Sequence, residues 1–152
     1  HGTVHDEGAA MLGGISGHAG LFSTANDLMK LMEMYRMMGA YCGEQIICRN
    51  VMERYTKVQF PQNDNRRGLG FDKPVFNNSE VPPEESNTAR SASPSSFGHT
   101  GYTGTYVWID PEYEMSFIFL SNRVFPTRDN NLITKLNLRS NLLQTFYDSV
   151  IN

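Results

Sequence analysis

The run Phe97 to Pro111, FGHTGYTGTYVWIDP, is where residue type and spacing point most directly to chemistry. It reads as a glycine-punctuated strand edge feeding a β-hairpin, with His99-Thr100-Gly101 at the mouth of the strand. A glycine in that place lets a ligand approach backbone N–H groups without a side chain in between. Such an edge can cradle a carbonyl oxygen. Where acyl transfer turns that oxygen into an oxyanion, one donor contributes about 2.7–4 kcal/mol to the transition state. Histidine brings a ring that is mostly neutral near pH 7 when unperturbed, so it serves as a hydrogen-bond partner more than as a fixed charge. Read blandly, His99 is an exposed residue at a glycine-rich turn, and Tyr106 and Trp108 are strand core or groove lining. His5-Asp6-Glu7 and His18 could mimic part of a Ser-His-Asp arrangement, but their loop context favours polar lining.

Stepping outward along the chain, residues 1–20 carry six glycines and read as loop, with only a short apolar patch at Ala9 to Leu12. Thr24 is a good N-cap with Asp27 three residues on. Leu28, Leu31, Met32, Tyr35 and Met38 then recur at helical spacing until Gly39. Gln45 to Ile47 is short and extended. Arg49 to Thr56 reads as a second helix with Val51, Met52 and Tyr55 inward. Gly68 to Phe71 reads as a strand, and residues 77–96, with three prolines and six serines, as a long surface excursion of the kind that borders binding sites. Strands follow at about Thr103 to Ile109 and Glu114 to Ser121, joined by a tight turn at Asp110-Pro111-Glu112-Tyr113, and they form the centre of the sheet. Leu136, Leu138, Leu142, Leu143, Phe146 and Val150 suit a terminal helix, with Ser149 and Asn152 at its end. This order predicts an α+β fold, an antiparallel sheet flanked by helices.

Composition excludes several classes. Thirteen basic and sixteen acidic side chains give a net charge of −3, which disfavours nucleic acid and anionic membranes as partners. No apolar run approaches the roughly 20 residues of a membrane span. Cys42 and Cys48 fit neither a disulfide framework nor a zinc set and read as free thiols. His1, His5, His18 and His99 show no His-Glu-x-x-His spacing, so no metal or other cofactor is expected.

Three segments together resemble a known family. His99-Thr100-Gly101, followed by a strand, an Asp-Pro turn and the strand Met115 to Leu120, resembles the Lys-Thr-Gly element of serine β-lactamases and penicillin-binding proteins, with His in place of Lys. Gly17 to Leu28 resembles the Ala-Gly-Gly-Leu-x-Ser-Thr-Ala-x-Asp-Leu stretch ahead of a helix in class C-type β-lactamases and related esterases. There Ser23-Thr24 is a cap and Ser23 is no nucleophile. Asn122-Arg123-Val124 completes the match. The run Asn122 to Asn131 is similar to the module fused behind a family 3 β-N-acetylglucosaminidase in Bacteroidetes.

The resemblance implies that residues 1–152 are the C-terminal portion of a β-lactamase-like domain with a partial β-lactamase/transpeptidase-like fold. The family's Ser-x-x-Lys and Tyr-x-Asn motifs are absent from the sequence, so the nucleophile-bearing N-terminal part would be a partner of this chain. A serine hydrolase is implied, acting through an acyl-enzyme on an ester, amide or peptidoglycan-derived substrate in the periplasm or cell envelope. His99 would take part in proton transfer or act as polar partner, and the Tyr102 backbone N–H would donate to the oxyanion. Thr100, Gly101 and His18 would contact the substrate. The chain alone is expected to be inactive and to associate into a homo-oligomer. A non-catalytic ligand-binding or interaction module with the same fold is the alternative.

Overall fold

Apolar residues on both faces of one strand organise this molecule. The computed structural model describes residues 2–151, so His1 and Asn152 lie outside the described residues. A three-stranded antiparallel sheet has the order β3-β4-β5, with β3 Phe97–Thr100, β4 Tyr106–Asp110 and β5 Met115–Phe119. It is preceded by α1 Glu7–Met11, α2 Ala25–Arg36, the two-residue strands β1 Ala40–Tyr41 and β2 Glu44–Gln45, and α3 Arg49–Thr56. The helices α4 Leu132–Lys135 and α5 Leu138–Ile151 follow. The α+β arrangement expected from the sequence is the one observed.

Side chains on successive strand residues alternate between faces. On β4, Tyr106 and Trp108 join Met115, Leu143 and Tyr147 in one cluster, with Phe117 and Phe119 against it. Ile109 turns the other way and packs with Phe97 and Met32, covered by Leu31, Tyr35, Phe71, Val107 and Ile118. The sheet is therefore buried by α5 on one side and α2 on the other. Asp110 closes the strand. It is 1% exposed and accepts from the Ser93 N–H and hydroxyl, the Tyr147 hydroxyl and the Glu112 N–H. Burial, and then the carboxylate that its hydroxyl donates to, push the Tyr147 phenol well above the ordinary tyrosine range.

Several local expectations hold. Thr24 caps α2 by accepting from the Asp27 N–H at 3.2 Å. The strand pair runs to Asp110↔Met115, one residue beyond the expected strand end at Ile109, with Glu114 at φ 53° completing the reversal. Cys42 and Cys48 are free and exposed.

Others are corrected. The N-terminal loop contains α1, because Asp6 caps it by accepting from the Ala9 N–H at 2.7 Å. Gly68 to Phe71 is no strand; only Asp72 bridges to β3, at Gly98, since the segment folds back on itself through Gly68 N–H to Phe71 carbonyl at 3.0 Å. In α3 only Met52 of the three inward residues is buried, and Val51 and Tyr55 are exposed. The terminal helix breaks at Asn137, φ 46°, and of the six expected core residues only Leu143 is buried, joined by Ser140 and Tyr147. Residues 77–96 are a surface excursion only in part: residues 79–85 run mostly over the surface, while other positions of the segment turn inward. Ala89 and Ala92 sit in the core and Asn78, Ser86, Thr88, Ser93 and Ser96 are buried. Their polar groups bond one another, as in Asn78 to the Ala89 carbonyl at 2.7 Å and Ser86 to Asn78 at 2.6 Å, and so a polar segment enters the interior.

Lys73 is also inside, 5% exposed, with its ammonium on the Ser95 carbonyl at 3.0 Å. Burial pushes its pKa down to about 8, against a smaller opposing pull from Asp110. The folded value lies below the unfolded one, so between about pH 8 and 10.5 the unfolded chain binds more protons and stability rises with pH. The penalty of the buried charge is fully present below that window. We expect the stability of Lys73→Met relative to wild type, from urea unfolding, to fall by about 3 kcal/mol from pH 7 to pH 10.5. A pH-independent difference would count against a charged, buried Lys73.

Candidate active site

The open end of β3 carries the site. Phe97 and His99 share the α2 face of the sheet, so burial of Phe97 fixes which way His99 emerges. His99 itself is exposed, opposite Val107. Gly98, on the other face, lies against the Val107 carbonyl and the Trp108 ring, and a Cβ there would collide with both. The glycine thus lets β3 lie flat on the Trp108 indole.

His99 has both ring nitrogens engaged. Nε2 faces the Arg67 guanidinium at 2.7 Å and Nδ1 faces the Thr100 carbonyl at 2.7 Å. A guanidinium can only donate, so Nε2 accepts and the proton resides on Nδ1, donated to Thr100. Arg67 was not singled out in the sequence, because 32 residues separate it from His99. Its neighbour brings it there: Arg66 clamps the turn through Asp72 at 3.0 Å and the Lys73 carbonyl at 2.9 Å, while Asp72 pairs with Gly98. A weak sequence signal existed in the Arg66-Arg67 pair just ahead of a glycine-rich segment.

Beyond Thr100 the chain makes a turn from Gly101 to Gly104. The Gly101 N–H donates to the Thr105 carbonyl at 2.8 Å, and the Gly104 N–H to the Gly101 carbonyl at 3.1 Å. A Cβ on Gly101 would fall on the Thr105 hydroxyl, so glycine at that position also serves the turn's own closure. The Tyr102 and Thr103 N–H groups donate to no acceptor among the described residues. Two adjacent backbone donors without an acceptor are available to a negatively charged or polarised oxygen.

The Tyr102 ring is 56% exposed and lies under the Arg123 guanidinium, 4.5 Å from its centroid. The neighbouring Arg128 and Arg123 guanidiniums hold its phenol below the ordinary tyrosine value. On its other flank His5 is stacked at 6.0 Å, and Glu7 pairs with Arg128 at 3.2 Å, so the α1 segment rests on the turn. His18 belongs to that segment. It bonds Asp6 at 2.9 Å through Nε2 and Ser16 at 2.7 Å through Nδ1. The structure thus unites Asp6 and His18, as the sequence hinted, and adds Ser16. The relay is solvent-exposed, with Asp6 committed to capping α1, and the Ala9 N–H and His18 lower its pKa.

The positive charge here is uneven. Arg67, Arg123 and Arg139 have no carboxylate within 4.0 Å among the described residues, whereas Arg128 has Glu7. An edge with two free N–H donors, a neutral imidazole and uncompensated guanidiniums can receive a negatively charged or polarised oxygen.

The beta-lactamase family model matches residues 2–140, and the chain belongs to that family. A protein of Escherichia coli O157:H7 and one of Salmonella gallinarum, both named for D-alanyl-D-alanine carboxypeptidase activity, are 38% and 39% identical over 123 residues. Each alignment covers 80% of this chain and 27% of the relative, so the chain spans about a quarter of those proteins. A crystal structure of a beta-lactamase from Mycobacterium bovis superposes with a TM-score of 0.61 at 23% identity, covering 87% of this chain and 46% of that one. That likeness shows the fold.

Proposed function

We propose that this chain forms the strand-edge wall of an active site in a serine hydrolase that works through an acyl-enzyme. The observation that carries this reading is the unpaired Tyr102 N–H beside the His99–Arg67 pair, in a chain of the beta-lactamase family. The nucleophile would come from sequence outside these residues, which contain no Ser-x-x-Lys. Its oxygen adds to a substrate carbonyl, whose oxygen becomes an anion held by the Tyr102 N–H. The leaving amine or alcohol departs with a proton, and water later releases the acyl group. Thr100, Gly101 and His18 would contact the substrate.

Esters, amides and peptidoglycan-derived peptides all suit such a site. The names of the relatives favour a peptide ending in a carboxylate, and Arg67 offers that group a fixed charge which a neutral His99 in place of lysine does not. A periplasmic or envelope location would follow from that substrate. Fusion to a β-N-acetylglucosaminidase rests on the Asn122 to Asn131 run alone. No cofactor enters the proposed reaction.

The isolated chain should not hydrolyse nitrocefin or activated esters. Ser23 lies ahead of the α2 cap, and the Ser16–His18–Asp6 relay is open to water, with the His18 side chain 59% exposed. Turnover that disappears on Ser23→Ala or Ser16→Ala would overturn the assignment of the nucleophile elsewhere.

With the nucleophile-bearing portion present, His99→Ala should lower kcat by roughly 10²–10⁴-fold, the range of general acid–base groups, at little cost in stability. Equal kcat for wild type and variant on a chromogenic ester would reduce His99 to a surface residue. A catalytically silent protein that still binds the carboxylate ligand would favour the interaction-module alternative.

Met11, Leu12, Ile15, Leu21 and Phe22 are 63–88% exposed and belong to one segment, an arrangement that favours association. Light scattering at micromolar concentration should show a dimer or larger species. A clean monomer would argue that this segment needs no cover.

A further inference from the structure

The Gly101–Gly104 turn is held from behind by two arginines that have no carboxylate within 4.0 Å among the described residues. Arg139, on α5, donates through Nη2 to the Gly101 carbonyl at 2.8 Å and through Nε to the Gly104 carbonyl at 3.3 Å. Arg123 donates through Nε to the Tyr102 carbonyl at 2.7 Å, and its own N–H to the Thr103 carbonyl at 2.8 Å. All four carbonyls of the turn therefore accept hydrogen bonds from these two residues. A peptide group has its N–H on the side opposite its carbonyl. Fixing the Gly101 carbonyl accordingly fixes the direction of the Tyr102 N–H, and fixing the Tyr102 carbonyl fixes that of Thr103.

The cost of this arrangement is visible. Arg139 is partly buried, and burial together with the nearby Arg123 lowers its pKa. A partly buried guanidinium facing another, without a counter-ion, is unfavourable unless its donors and its field are used. Here the donors are used on a turn whose exposed side offers two free N–H groups. The field reaches whatever oxygen those groups receive.

We propose that Arg139 is the positioning residue of the Tyr102 N–H donor, acting through the Gly101 carbonyl, with Arg123 doing the same for Thr103. Arg139 touches no substrate. It holds the peptide plane so that the donor is already aimed when negative charge develops, which avoids reorganisation at that moment. Its position on α5 places the donor's geometry under the control of the helix that also buries Leu143 and Tyr147 in the core. This inference rests on the serine-hydrolase reading and goes further by naming the residue that sets the geometry.

Two readouts test it. In the ¹⁵N-labelled chain, inorganic phosphate should shift the Tyr102 and Thr103 amide resonances, the sites of its two free donors. Arg139→Gln should weaken the Tyr102 response by about tenfold or more with the melting curve little changed, and Arg139→Lys should restore part of it. In the protein that includes the nucleophile, Arg139→Gln should lower kcat by roughly 10–100-fold with KM nearly unchanged, less than the 10²–10³-fold of deleting a donor outright. A Tyr102 amide that shifts as in wild type in Arg139→Gln, or that never responds to phosphate, overturns the proposal. Tyr102→Pro separates the two levels, since it removes the N–H itself. If that variant keeps its kcat, the oxyanion-donor reading fails. If it is inactive while Arg139→Gln is fully active, only the role of Arg139 fails.

Discussion

A carboxylate buried at the end of the central strand ties the molecule together. Asp110 terminates β4 and receives hydrogen bonds from Ser93, Tyr147 and the Glu112 N–H. One side chain thereby joins the sheet, the 77–96 segment, the following turn and α5. Charge without a partner in the interior is costly, and an acceptor with four donors is the usual way to keep it there. The consequence is that α5 has a defined position along β4. Arg139, at the other end of the same helix, reaches the turn beyond β3 because of it. The rigid interior and the exposed edge are thus one arrangement seen at two ends of a helix.

The edge itself pairs two kinds of nitrogen side chain. In the Lys-Thr-Gly pattern that this sequence resembles, one residue supplies both a proton-handling group and a positive charge. This chain has a histidine in the place of that lysine, with an arginine against it. Thr100 sets the tautomer of the His99 imidazole, and the Arg67 guanidinium lies on its other nitrogen. Such a pair is wider and more directional than a lysine ammonium.

The segment of residues 77–96 shows how composition misleads. Its prolines and serines are the residues of surface loops, and no apolar periodicity marks it as internal. Part of it nevertheless enters the core, because Ser86, Asn78 and Thr88 satisfy one another and because Ala89 and Ala92 are small enough to lie against Trp108 and Tyr106. Mutual satisfaction of polar groups is a three-dimensional property, and no local rule reports it.

Much was legible without coordinates. The Thr24 cap with Asp27, the strands at about Thr103 to Ile109 and Glu114 to Ser121, and the His-Thr-Gly edge are all local patterns, set by backbone sterics and by spacing within a few residues. They sufficed for the α+β fold and for the family. Tertiary structure alone decided which face of α5 is buried, that Gly68 to Phe71 bends back instead of pairing, and that Lys73 lies inside. It also decided the company of the site. Arg67, Arg123 and Arg139 stand 32, 21 and 38 residues from the atoms they bond, and contacts at that separation depend on how whole elements pack rather than on any neighbour in the chain.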